Sequence, residues 1–73
     1  MINTLDVNGV QLARGDYVVP SDAMILDNPS MFSTADMGQI EHIFLDGVLS
    51  GIHVRCPLGD YIANNGRALR KIR

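Results

Sequence analysis

Residues 38–56 read GQIEHIFLDGVLSGIHVRC, two apolar-rich runs joined by Asp46-Gly47. Asp-Gly suits a two-residue hairpin turn, because both central residues of that turn take positive φ. The stretch therefore reads as a strand from Gln39 to Leu45, opened by Gly38, and a return strand from Val48 to Cys56. Side chains alternate along a strand. In the return strand Ile52, Val54 and Cys56 share one face and His53 and Arg55 the other. The first set is expected in the core and the second in solvent. Ser50-Gly51 is a candidate bulge, and Pro57 closes the strand.

The same signal recurs on either side. Asn8-Gly9 stands between Leu5-Asp6-Val7 and Val10-Gln11-Leu12, and reads as a short opening hairpin. Asn65-Gly66 stands between Tyr61 to Ala63 and Arg67 to Leu69, and reads as a third hairpin. Tyr17-Val18-Val19 begins a strand that Pro20 ends or places on an edge. At the C-terminal end Leu69 and Ile72 are expected to pack inward. Gly15-Asp16-Tyr17-Val18 and Gly59-Asp60-Tyr61-Ile62 are near copies, read as one turn-into-strand device used twice.

Residues 20–37 break the pattern. Loop formers (Ser21, Asp22, Asn28, Pro29, Ser30) alternate there with Met24, Ile25, Leu26, Met31 and Phe32. Ser21 capping a helical turn and a short strand at Met24–Leu26 both fit. A connection of this length in a small domain is usually functional or flexible.

At 73 residues the chain is one domain, 1–73, with a thin core. Apolar residues make up 47% and charged residues only 19%. The surplus must stand exposed or be buried against a second chain, so a homo-oligomer is expected. The single cysteine, Cys56, leaves no intramolecular disulfide and fits a reducing compartment. The start shows neither a basic segment nor an apolar run, and no stretch approaches the ~20 residues of a membrane span. The expectation is a cytoplasmic protein without membrane contact.

Charge is divided unevenly. Residues 1–54 carry seven acids against Arg14, a balance of −6; residues 55–73 carry Arg55, Arg67, Arg70, Lys71 and Arg73 against Asp60, a balance of +4. Arg55, Arg67, Arg70 and Lys71 are thus candidate phosphate contacts for a nucleic acid. Against this, the total of −2 is acidic, whereas nucleic-acid binders are usually basic, and few aromatics are placed to stack bases.

Taken together, Gly15-Asp16-Tyr17-Val18, Gly38-Gln39-Ile40 and the Leu69–Ile72 end, with one long early loop, resemble an SH3-like barrel. The expected fold is all-β: a small SH3-like barrel of about five antiparallel strands with a long first loop. Within that class the chain resembles the plasmid-borne type II dihydrofolate reductases. These are tetramers with a Gly-Asp-x-Val strand, a Gly-Gln-Ile strand and a Leu-x-x-Ile end. Their active-site signature is Val-Gln-Ile-Tyr, and the matching positions here are Tyr61-Ile62-Ala63-Asn64. The Gln and the Tyr are both missing. The resemblance implies a barrel and oligomerisation, and an oligomeric pore-type reductase remains only as a second alternative.

Other chemistry is thinly marked. His42, His53 and Cys56 are metal-ligand types, but His53 and Cys56, three apart, point to opposite faces of a regular strand. No metal site is expected. Cys56 beside either histidine would make a nucleophile and base, yet it falls on the apolar face, where a thiol is an inert small hydrophobe. Neither Gly-x-Gly-x-x-Gly nor a phosphate loop occurs, so no cofactor is expected.

The reading is a non-enzymatic binding module for a protein partner or a second copy of itself. Met24, Ile25, Leu26, Met31 and Phe32 are the candidate contacts, because flexible Met-rich segments suit adaptable interfaces. The bland alternative is that this segment caps an open end of the barrel. Nucleic-acid binding is the runner-up function. A phage or mobile-element origin is suggested by association alone.

Overall fold

The computed structural model describes residues 2–22, 37–45, 50–57 and 59–72. It is all-β, with five antiparallel strands in one sheet: β1 Tyr17–Pro20, β2 Gly38–Phe44, β3 Gly51–Arg55, β4 Tyr61–Ala63 and β5 Leu69–Lys71. Their order across the sheet is β4-β3-β2-β1-β5. Among the described residues no helix is long and apolar enough to cross a membrane.

β1 to β4 form a simple meander, but β5 crosses to the far edge beside β1. A single turn of 3-10 helix, Gly66–Ala68, lies in that crossing. The distance is informative. Three extended steps and three 3-10 steps from Ala63 to Leu69 reach roughly 16 Å. Five flat strands would put the outer two about 19 Å apart. The sheet must therefore curl, and it does: Ala63 of β4 and Leu69 of β5 lie in one buried cluster with Leu12, Val18, Ile40, Ile52 and Val54. The architecture is a small, barrel-like sheet around that cluster.

Two of the three expected turns differ from the sequence reading. Among the described residues every positive φ belongs to a glycine, so neither Asn8 nor Asn65 takes the left-handed conformation a two-residue turn requires. Near the N-terminus Leu5 bridges Gln11, the Gly9 amide donates to the Asp6 carbonyl, and Gly9 alone has φ +81°. This is a three-residue loop with glycine at its left-handed position. At the other end Asn65 is extended and caps the 3-10 turn, its side chain accepting from the Arg67 amide at 2.9 Å. No hairpin forms there: the last strand is Leu69–Lys71 rather than Arg67–Leu69, and β4 and β5 lie on opposite edges. Asp46-Gly47 lies outside the described residues, but Phe44↔Gly51 pairing shows that β2 and β3 form an antiparallel pair about it.

The bulge also differs in place. Ile40 pairs with Val54 but His42 pairs with His53, so the extra residue is Glu41 on β2 and not the Ser50-Gly51 pair. Strict alternation from Ile40 would turn His42 inward. The bulge instead brings Ile43 opposite Ile52 and against the core, and leaves His42 exposed. In β3 the expected faces hold: Ile52 and Val54 are fully buried, Arg55 is exposed, and His53 is half-buried. Leu69 is fully buried, whereas Ile72, expected inward, is exposed.

Pro20 ends β1 as foreseen. It pairs only with Leu69 of β5, beyond the last pair with β2, so its missing N–H breaks no ladder. Next to it Ser21 is buried, its amide donating to Ala68 and its hydroxyl to the Arg67 carbonyl at 2.6 Å.

The outer side of β5 is covered by the N-terminal hairpin, and one carboxylate organises the contact. Asp6 is 3% exposed. Its Oδ1 accepts from the amides of Asn8 and Val10, both at 2.8 Å, and its Oδ2 accepts from the Lys71 amide at 2.8 Å. The Val7 amide donates to the Leu69 carbonyl beside it. Burial alone would raise the Asp6 pKa. The three backbone donors and the nearby Lys71 charge outweigh it and hold the carboxyl below its ordinary value. Gly66 seals the same junction: its amide donates to the Asn3 carbonyl at 2.7 Å, and a Cβ there would stand 2.2 Å from the Leu5 carbonyl oxygen.

Asp6→Asn keeps the shape but turns an NH2 toward one of the three donors. It should cost about 2–3 kcal/mol in urea unfolding at neutral pH. Because the native pKa lies below the unfolded one, the stabilisation is complete above the unfolded pKa of about 3.9. It fades as pH falls through the native pKa. The acid limb of the wild-type stability curve should accordingly be shallower in Asp6→Asn. Gly66→Ala should destabilise by roughly 1–3 kcal/mol or more through overpacking, read as a lowered Tm.

Candidate functional site

The outer face of β2, β3 and the approach to β4 gathers most of the chemistry among the described residues. The bulge pushes Glu41 and His42 out beside β3, where His53 and Arg55 already point outward by alternation. Asp60 arrives from the turn before β4, one residue ahead of Tyr61, which pairs with Val54. Three chain segments thus meet over one small area.

His53 is the centre of it. Its Nδ1 lies 3.7 Å from Glu41 Oε2, and its Nε2 lies 3.5 Å from Asp60 Oδ2. Arg55 Nη2 lies 3.4 Å from the other Glu41 oxygen. One donor atom each from Glu41, His53 and Asp60 falls within 4.8 Å of the other two. Two carboxylates therefore face one imidazole and one guanidinium, Glu41 and His53 half-buried and Arg55 and Asp60 exposed. Such a group offers donor atoms to a cation, and it contributes little to folding because water screens it.

An apolar edge adjoins this polar group. His42 and Phe44 pack on the same face, their ring centroids 4.4 Å apart and their planes tilted by 59°. Ile62, 53% exposed, lies over Gly51, where a Cβ would stand 2.6 Å from its Cγ2. Gly51 pairs with Phe44, so Phe44 and Ile62 flank one backbone glycine.

The residues singled out from sequence are scattered by comparison. Met24, Ile25, Leu26, Met31 and Phe32 lie outside the described residues. Of the four basic residues, Arg55 pairs with Glu41, and Lys71 pairs with Asp16 at 3.6 Å. Arg67 and Arg70 are exposed on the 3-10 turn and on β5. β3 and β5 are separated by two strands, so Arg55 does not join the others in one stripe. Cys56 packs against the core, close to Gly38, while His42 and His53 face outward, so the three do not form a ligand set.

Sequence reasoning missed Glu41 and Asp60. A signal for Glu41 was present: Ile40 and Ile43 are three apart, and only an inserted residue lets both reach one face. Asp60 follows from the hairpin register, since His53 pairs with Ile62 and Asp60 lies two residues before it, a diagonal neighbour.

No protein-family model matches the chain, and no curated protein and no solved structure matches it.

Glu41→Gln removes one arm of the cluster at a half-exposed position. It should change stability by less than about 1 kcal/mol in urea unfolding. A loss of about 2 kcal/mol or more would mean that the cluster holds β2 to β3.

Proposed function

We propose that the chain is a non-enzymatic, SH3-like binding module that engages protein surfaces, first of all a second copy of itself. The observation that carries this reading is the distribution of apolar residues. Among the described residues eight large hydrophobics stand 38–53% exposed, including Phe44, Leu45 and Ile62, while eight hydrophobic residues form the buried core. A core this small leaves apolar surface that a partner can cover. The five-stranded antiparallel sheet, a four-stranded meander closed by β5 beside β1, with residues 21–37 separating β1 from β2, supports the SH3-like reading.

In this proposal Met24, Ile25, Leu26, Met31 and Phe32 supply adaptable contacts, joined by the outer face near His53 and Arg55. Nucleic-acid binding draws less support, because Arg55 and Lys71 already face carboxylates. A reductase pore draws less again: Ile62 and Asn64 stand where the resemblance would need Gln and Tyr.

Light scattering coupled to size exclusion should give an oligomer, insensitive to salt. Met31→Asp with Phe32→Ser should convert it to a folded monomer. A monomeric wild type, or a double variant that unfolds, would contradict this reading.

A further inference from the structure

We propose that Glu41, His53 and Asp60 form a binding site for a divalent transition-metal ion of the zinc class. The proposal is independent of the binding-module reading and rests on the arrangement of the three donors.

The donor set comes first. One imidazole and two carboxylates make a borderline site: the imidazole favours zinc, nickel or cobalt over magnesium or calcium, and the carboxylates supply charge. Zinc bonds of about 2.0–2.2 Å place tetrahedral ligand atoms roughly 3.4 Å apart. Whichever ring nitrogen takes the metal, one carboxylate already stands near that spacing, Asp60 at 3.5 Å from Nε2 or Glu41 at 3.7 Å from Nδ1, and one donor atom from each of the three residues lies within 4.8 Å of the other two.

The two carboxylates face different ring nitrogens. A metal takes one nitrogen, so one carboxylate must swing round the ring edge to complete the set. Side-chain rotation at these half-exposed to exposed positions costs little. The nitrogen left over can then donate its N–H to water or to a carboxylate oxygen, which fixes the ring.

The placement is independent of the donors' identity. Glu41 is the bulged residue of β2, His53 belongs to β3, and Asp60 leads into β4. The adjacent strands hold Glu41 and His53 more rigidly than a loop would, and Asp60 is one residue from the third strand. Arg55, on Glu41 Oε1, leaves Oε2 turned to the histidine and acts as a positioning residue. Three protein ligands leave at least one coordination position for water or a partner's side chain. His42, directly across from His53 in the ladder, is a candidate further donor.

Zinc chloride titrated calorimetrically into the full chain, in a buffer that does not chelate, tests the proposal. One ion should bind per chain in the wild type and in Cys56→Ser. His53→Ala, and separately Asp60→Asn at its exposed position, should weaken binding roughly tenfold or more, with circular dichroism confirming that each variant is folded. Cobalt(II) in place of zinc should show no thiolate charge-transfer band. Absence of saturable one-to-one binding in the wild type would overturn the site. So would undiminished binding by folded His53→Ala and Asp60→Asn, or loss of binding in Cys56→Ser.

Discussion

The buried carboxylate of Asp6 is the contact on which the rest of the structure depends. A sheet that ends in β5 would present a row of unpaired backbone groups on its outer side. The N-terminal hairpin covers that side, and Asp6 reaches the Lys71 amide while gathering the amides of its own turn. A buried carboxylate is costly unless it is fully hydrogen-bonded. Here three backbone donors meet two oxygens, which is why the group stays ionised at low exposure. The same contact fixes the hairpin so that Leu12 enters the core and Gly66 closes against Leu5.

Curvature links this contact to the outer face. The short crossing from β4 to β5 forces the sheet to curl, and curling crowds side chains inward while spreading them outward. The Glu41 bulge adds local twist and turns two consecutive polar residues to solvent. The result is an inner face of aliphatic residues and an outer face carrying Glu41, His42, His53 and Arg55 beside Phe44 and Ile62. The proposed binding function draws on the outer face and on residues 20–37, since the inner positions are taken up by packing.

Much of the fold was legible because strand patterns are local. Tyr61–Ala63 agrees with the structure to the residue, and the burial of Ile52 and Val54 follows from their alternation with His53 and Arg55. Asn65-Gly66 misled because the dipeptide has two uses: Asn is as good a cap as a turn former, and glycine also permits close backbone approach. Tertiary contact with Leu5 decides between them, and no local pattern reveals it. Asp6 looked like the polar member of an alternating triplet, since its partner Lys71 lies 65 residues away. The Glu41–His53–Asp60 group needed both a bulge and a register, each set by pairing between strands rather than by either strand alone.

The most direct test of the account is an acid titration followed by NMR, reading the Asp6 carboxyl carbon together with the amides of Asn8, Val10 and Lys71. The account predicts a carboxyl midpoint below that of an unperturbed aspartate, with all three amides shifting at that same midpoint. A midpoint at or above the ordinary value, or a Lys71 amide indifferent to the Asp6 titration, would contradict it.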